Sequence, residues 1–215
     1  WKIFREKLRW QWMILTWVFI APIPAAITRD APHALRALIM ILPIIIITCL
    51  GMPLRKWFIG GVIILLLGNF YLFWQNYSGD YTKTYSWSWQ YGYKEAVNFI
   101  SKNKDKYSKV YITKKYGEPH EFLLFYMKYD PEKYKNDVNL VRYFKSDWYW
   151  VDSFDKFVFI NDWEVKKNVK CTINNVQCLL ITSPNNYPEE SKLLTIINFL
   201  DGKPAFDIVE LPQVQ

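Results

Sequence analysis

Histidine and cysteine are scarce in this chain, two of the first and three of the second in 215 residues, and none stands at a spacing that grips a metal. No glycine-rich phosphate loop and no Gly-x-Ser-x-Gly turn occurs. P-loop and serine-hydrolase chemistry are therefore excluded, and a triad or a metal cluster has almost nothing to be built from. An initiating Met is missing too, as is the small-residue cleavage site of a signal peptide, so the start reads as a truncation between helices of a longer chain. Acidic residues are nearly absent from the first third. Residues 1 to 77 hold eight Lys/Arg against Glu6 and Asp30, whereas 78 to 215 hold 19 basic and 18 acidic residues, so the net charge of +7 belongs almost wholly to the first part. A remainder this close to neutral has no excess charge with which to displace counterions from phosphates, which excludes nucleic acid as a partner.

What fills that first part is apolar. Ala37 to Met52 carries no charge in sixteen residues, and Trp10 to Ile27 and Trp57 to Trp74 are similar runs. A helix needs about 20 residues to cross about 30 Å of hydrocarbon, so three transmembrane helices are expected, at about 10–27, 35–52 and 57–76. Trp10, Trp12, Trp57, Tyr71, Trp74 and Tyr77 at the run ends fit an interfacial belt. The basic start and the Arg55-Lys56 turn mark the cytoplasmic side by the positive-inside rule, which puts the 28 to 36 loop and everything after Tyr77 outside. The competing reading, buried helices of a soluble protein, leaves nothing polar on these runs to face water.

After Tyr77 the texture becomes polar and aromatic: a linker to Tyr93, then a helix whose apolar face is Ala96, Val97, Phe99 and Ile100. Strands are expected at Lys109 to Thr113, Leu140 to Phe144 and Lys156 to Ile160, and helices at Glu118 to Lys128 and from Pro131. Two hairpins close the chain. One turns at Asn174-Asn175, residues that tolerate positive φ, and sets Cys171 opposite Cys178, either bridged or as a reduced buried pair; Cys49 has no partner. The other turns at Asp201-Gly202 between Lys192 and Leu211. Residues 78–215 thus read as an extracytoplasmic α/β domain with a mixed sheet and C-terminal β-hairpins, following a transmembrane part at 1–77.

Among side chains with chemistry, the pairs Glu118/Glu121 and Glu189/Glu190 read as helix-dipole partners and His120 as a partly exposed helix residue. Trp87, Trp89, Tyr91, Trp148, Tyr149 and Trp150 either pack or offer faces to sugars or headgroups. Arg29, His33 and Arg36 gather three donors within eight residues at the outer membrane face, where a lipid phosphate would sit. Snorkelling arginines that only set helix depth account for them equally well.

The order of helix, Thr28-Arg-Asp-Ala-Pro-His-Ala-Leu-Arg36, helix with Pro43, turn, helix and outer domain resembles the C-terminal part of bacterial membrane glycosyltransferases related to the protein O-mannosyltransferases, glycosyltransferase family 39 of the GT-C class. Trp89-Gln-Tyr-Gly-Tyr-Lys-Glu-Ala-Val and Asp201-Gly-Lys-Pro-Ala-Phe resemble stretches of their external domain. The resemblance implies an integral protein of the plasma membrane that moves a sugar from a polyprenyl-phosphate donor to a protein or glycan acceptor outside. It implies Arg36, His33 and Arg29 as contacts to the donor phosphate. The catalytic acid, and any divalent metal beside it, is expected upstream of Trp1; Asp30 sits in a different loop and receives no such role, and no catalytic residue or cofactor is identifiable here. The competing class is a non-enzymatic, membrane-anchored module that grips glycan or protein.

Overall fold

A computed structural model describes residues 9–27, 34–53, 55–171 and 177–213. The chain forms two compact units, Trp1–Leu72 and Phe73–Gln215.

In the first unit, prolines cut the apolar runs. Helix α1 (Arg9–Ile20) gives way at Ala21-Pro22 to α2 (Ile23–Ile27), because Pro22 has no N–H to continue the ladder. Likewise α3 (Ala34–Ala37) tightens into a 3-10 turn at Leu38–Met40 before α4 (Ile41–Gly51), which takes Pro43 into its first turn. α1 packs on α4, and Ile14, Ala21, Ala25 and Pro43 are buried. α5 (Lys56–Asn76) runs without a break. With its continuation to Thr84 it makes a 29-residue helix whose most apolar 18-residue window has a mean hydropathy of 1.9 and no buried residue. Of the three expected spans, this is the one among the described residues that is long and apolar enough to cross a membrane; Trp12–Ile27 and Leu35–Gly51 are apolar helices shorter than that.

The second unit corrects the linker expected after Tyr77. The chain stays helical through a π turn at Tyr77–Tyr81 and α6 (Thr82–Thr84). Aromatics four residues apart stack down one side: Phe73 on Tyr77 at 5.6 Å, Tyr77 on Tyr81 at 5.7 Å and Tyr81 against Tyr85 at 4.7 Å. Buried Ser86 then anchors the turn that follows, donating to the Lys83 carbonyl at 2.8 Å and accepting from Leu200 N–H at 3.2 Å.

A seven-stranded mixed sheet is the frame of this unit. Its strands are β1 (Tyr107–Thr113), β2 (Val141–Lys145), β3 (Trp148–Phe154), β4 (Phe157–Ile160), β5 (Gln177–Thr182), β6 (Lys192–Asn198) and β7 (Pro204–Glu210), in the order β2-β3-β4-β1-β5-β7-β6. β4, β1 and β5 run parallel at the centre, and antiparallel pairs extend both edges. Alternation sorts the side chains. Val110, Ile112, Leu179 and Ile181 face one layer, with α7 (Tyr93–Lys102) and α8 (Pro119–Tyr126), while Tyr111, Cys178 and Leu180 face the other, with α10 (Val165–Asn168); α9 (Pro131–Lys135) lies between α8 and β2 in the chain. Burial on both faces is why Cys178 to Ile181 is one uninterrupted apolar stretch.

The first expected hairpin takes a different form. Residues 172 to 176, with its Asn174-Asn175 turn, lie outside the described residues. β5 has β1 on one side and β7 on the other, so it is an interior strand, and Cys171 forms a parallel bridge with Gln213. Cys171 and Cys178 are nonetheless joined by a disulfide with Cα atoms 5.7 Å apart. The second hairpin forms as β6 and β7, where Gly202 takes φ +85° and Asp201 accepts from Lys203 N–H at 3.1 Å.

Candidate functional site

Two polar clusters among the described residues of the second unit bear on a candidate site. The first is the carboxyl edge of the parallel strands, where open α/β sheets commonly bind ligands. There Asp162, just past β4, accepts from Ser183 Oγ at 2.7 Å, from Thr113 Oγ1 at 2.9 Å and from Lys115 Nζ at 3.3 Å. Asn186 donates to the Asp162 carbonyl at 2.7 Å. Burial opposes the Asp162 charge, yet these hydrogen bonds outweigh it and hold the carboxyl below the usual range. With its acceptors taken up by strand-end donors, Asp162 ties β1, β4 and the end of β5 together. It is a structural knot.

The second is in a cleft of about 510 Å³ between α8 and α9 on one side and the β2–β3 hairpin on the other. Two residues connect β2 to β3. Ser146 and Asp147 take φ +54° and +60°, the left-handed pair of a type I′ turn, whose twist matches the flanking strands. Lys145 therefore faces Trp148 and Phe144 faces Tyr149. Phe144 and Tyr149 meet edge to face at 5.1 Å, and the Arg142 guanidinium lies 4.1 Å from the Tyr149 ring centroid. The other side of the cleft is helical. α8 contributes Glu121 and Leu124, and Tyr134 comes from α9, whose first turn is capped by the Asp130 carboxylate accepting Glu132 N–H at 2.9 Å.

His120 sits at the back of this cleft, and the structure corrects its expected exposure. Pro119 opens α8 and turns His120 inward, so that only 8% of it is exposed. Its Nδ1 is 3.4 Å from Glu118 Oε2, and neither atom has a hydrogen-bond partner. Burial, followed by the positive charges of Lys114 and Arg142, pushes the imidazole down to about 4. Burial also raises the Glu118 carboxyl. Both groups are thus driven toward their neutral forms. Behind them Lys114, its side chain mostly buried, pairs with Asp152 and lies 5.7 Å from the Trp150 ring centroid.

Of the residues expected at a donor phosphate, Arg36 is exposed on α3, and Arg29 and His33 lie outside the described residues. Trp148 and Tyr149, noted as sugar-stacking candidates, come to the cleft and stay more than half exposed. Trp87 and Trp89 are exposed elsewhere, and Trp150 does not line the cleft; its indole donates to the Lys145 carbonyl at 3.0 Å. Glu121 also reaches the cleft; Glu189 and Glu190 do not. Tyr134, Arg142, Phe144 and Asp147 escaped sequence reading, although aromatic strands flanking a two-residue polar turn were a visible signal. Among the described residues no cluster of His, Cys, Asp and Glu is placed to hold a metal ion. Comparison with protein-family models, with curated proteins and with solved structures finds no match to the chain.

Proposed function

We propose that this chain is the C-terminal portion of an integral membrane glycosyltransferase that moves a sugar from a polyprenyl-phosphate donor to an acceptor outside the plasma membrane. The observation that carries the reading is the helix Lys56–Thr84, apolar and unburied in its hydrophobic window, leading directly into a mixed α/β unit stapled by a disulfide. A lipid-facing helix and an oxidised cysteine pair both suit a domain held on the outer side of a membrane. The apolar helices before it would complete a three-span anchor. The resemblance of the Thr28 to Arg36 loop and of the Trp89 and Asp201 stretches to the O-mannosyltransferase-like enzymes supplies the chemistry.

In this reading Arg36, at the outer end of an apolar run, offers its planar fork to the donor phosphate and stabilises the charge that grows as the glycosyl bond breaks. His33 and Arg29 would complete that contact. The test is turnover of a radiolabelled polyprenyl-phosphate sugar by membranes carrying the full-length protein. Arg36→Ala should lower turnover by about 100-fold and Arg36→Lys by less, since lysine keeps the charge and loses the fork. Unchanged turnover in both variants would reassign Arg36 to snorkelling.

A binding module with no transferase activity is the second reading, favoured by one feature: Trp148 and Tyr149 are left exposed beside charged side chains in a formed cleft. Full insertion without transfer from any polyprenyl-phosphate sugar would select it.

A further inference from the structure

We infer that the cleft between α8, α9 and the β2–β3 hairpin is a binding subsite for a neutral oligosaccharide, the acceptor chain in the function proposed above. The identification of the occupant as an acceptor rests on that function; the binding itself does not. Four properties of the cleft lead to a sugar.

Its size falls within the range of small-ligand clefts. Its lining is aromatic but not sealed: Phe144, Trp148 and Tyr149 are 61%, 56% and 54% exposed, with the Arg142 guanidinium over one face of Tyr149. Around those rings stand one cation and two carboxylates, Arg142, Glu121 and Asp147. Their side chains make no hydrogen bond to another described residue, which leaves a fork of donors and two sets of acceptors free. A pyranose has the complementary surface, with C–H faces that lie on rings and a rim of hydroxyls that both donate and accept.

The same inventory argues against the alternatives. A phosphate or polyanion would meet two carboxylates for one guanidinium, and an apolar ligand would leave all three charges desolvated and unpaired. A neutral saccharide satisfies each of them. The geometry is also set in advance. The type I′ turn and the Trp150 to Lys145 hydrogen bond hold the hairpin, and the Tyr149 ring supports the Arg142 guanidinium, so little ordering is required on binding.

The test is titration of the full chain, in lipid nanodiscs, with maltotriose, mannotriose and chitotriose, read by saturation-transfer NMR and calorimetry. At least one trisaccharide should bind. Trp148→Ala should weaken it roughly tenfold, the loss of one stacking face, and Arg142→Ala should weaken it as well. Trp163→Ala, which removes an exposed tryptophan outside the cleft, should leave binding unchanged. Binding that survives Trp148→Ala, no binding by any of the three sugars, or inorganic phosphate bound more tightly than they are would each overturn the inference. Because no transfer is measured, saccharide binding with no transferase activity would retain the subsite and discard the enzyme, whereas transfer without such binding would do the reverse.

Discussion

His120 shows how one buried side chain sets a pH limit on the fold. Its ordinary value of 6.5 is lowered to about 4 in the folded unit, so between these two pH values the unfolded chain takes up a proton that the folded chain refuses. Stability is then fully present above pH 6.5 and is lost as the pH falls toward 4. Thermal unfolding of the α/β unit should show a loss of about 2 kcal/mol between pH 6.5 and 4.5 that is absent in His120→Gln. The raised Glu118 carboxyl acts in the opposite direction and is present in both proteins, so the difference between them isolates the imidazole. Identical pH profiles would show that His120 is solvated and not held neutral.

Among the elements, the central strands were legible before the structure and the hairpin of the cleft was not. Val110 and Ile112 alternate with Tyr111, and Leu179 and Ile181 with Leu180, because a strand packed on both faces must be apolar throughout. β3 was missed since Trp148 to Phe154 mixes aromatic, acidic and hydroxyl residues, and its turn is Ser-Asp where Asn-Gly or Asp-Gly would signal positive φ. Asn174-Asn175 carried that kind of signal and suggested a two-stranded hairpin, yet β5 is enclosed by β1 and β7. The cysteine pairing follows from proximity in the chain, the two residues being seven apart, and needs no ladder between them. Replacing both, as Cys171→Ala/Cys178→Ala, should cost the α/β unit about 2–3 kcal/mol by freeing that short loop in the unfolded state. Denaturant midpoints of wild type with and without reductant should bracket the same interval, and coincident midpoints would contradict a bridging role.

At the scale of the molecule, the sequence divides its labour by charge and hydropathy, and that division was readable at once. The first part holds the excess positive charge and the proline-cut apolar helices, and the second holds a sheet that buries its own core. The candidate site was less readable, for a physical reason. Glu121 and Tyr134 come from two helices and Arg142, Phe144 and Trp148 from a hairpin, and only the packing of those helices beside the sheet edge brings them to one cleft. No local spacing encodes that.

The proposed function is sided: it requires sugar transfer on the outer face of the membrane, with the α/β unit on that same side. The most direct measurement supplies a labelled polyprenyl-phosphate sugar to sealed right-side-out and inverted vesicles carrying the full-length protein, with a membrane-impermeant oligosaccharide as acceptor. Labelled product should form in right-side-out vesicles and appear in inverted ones only after they are opened with detergent. Product formed by intact inverted vesicles, or none in either orientation with the protein inserted and folded, would contradict it.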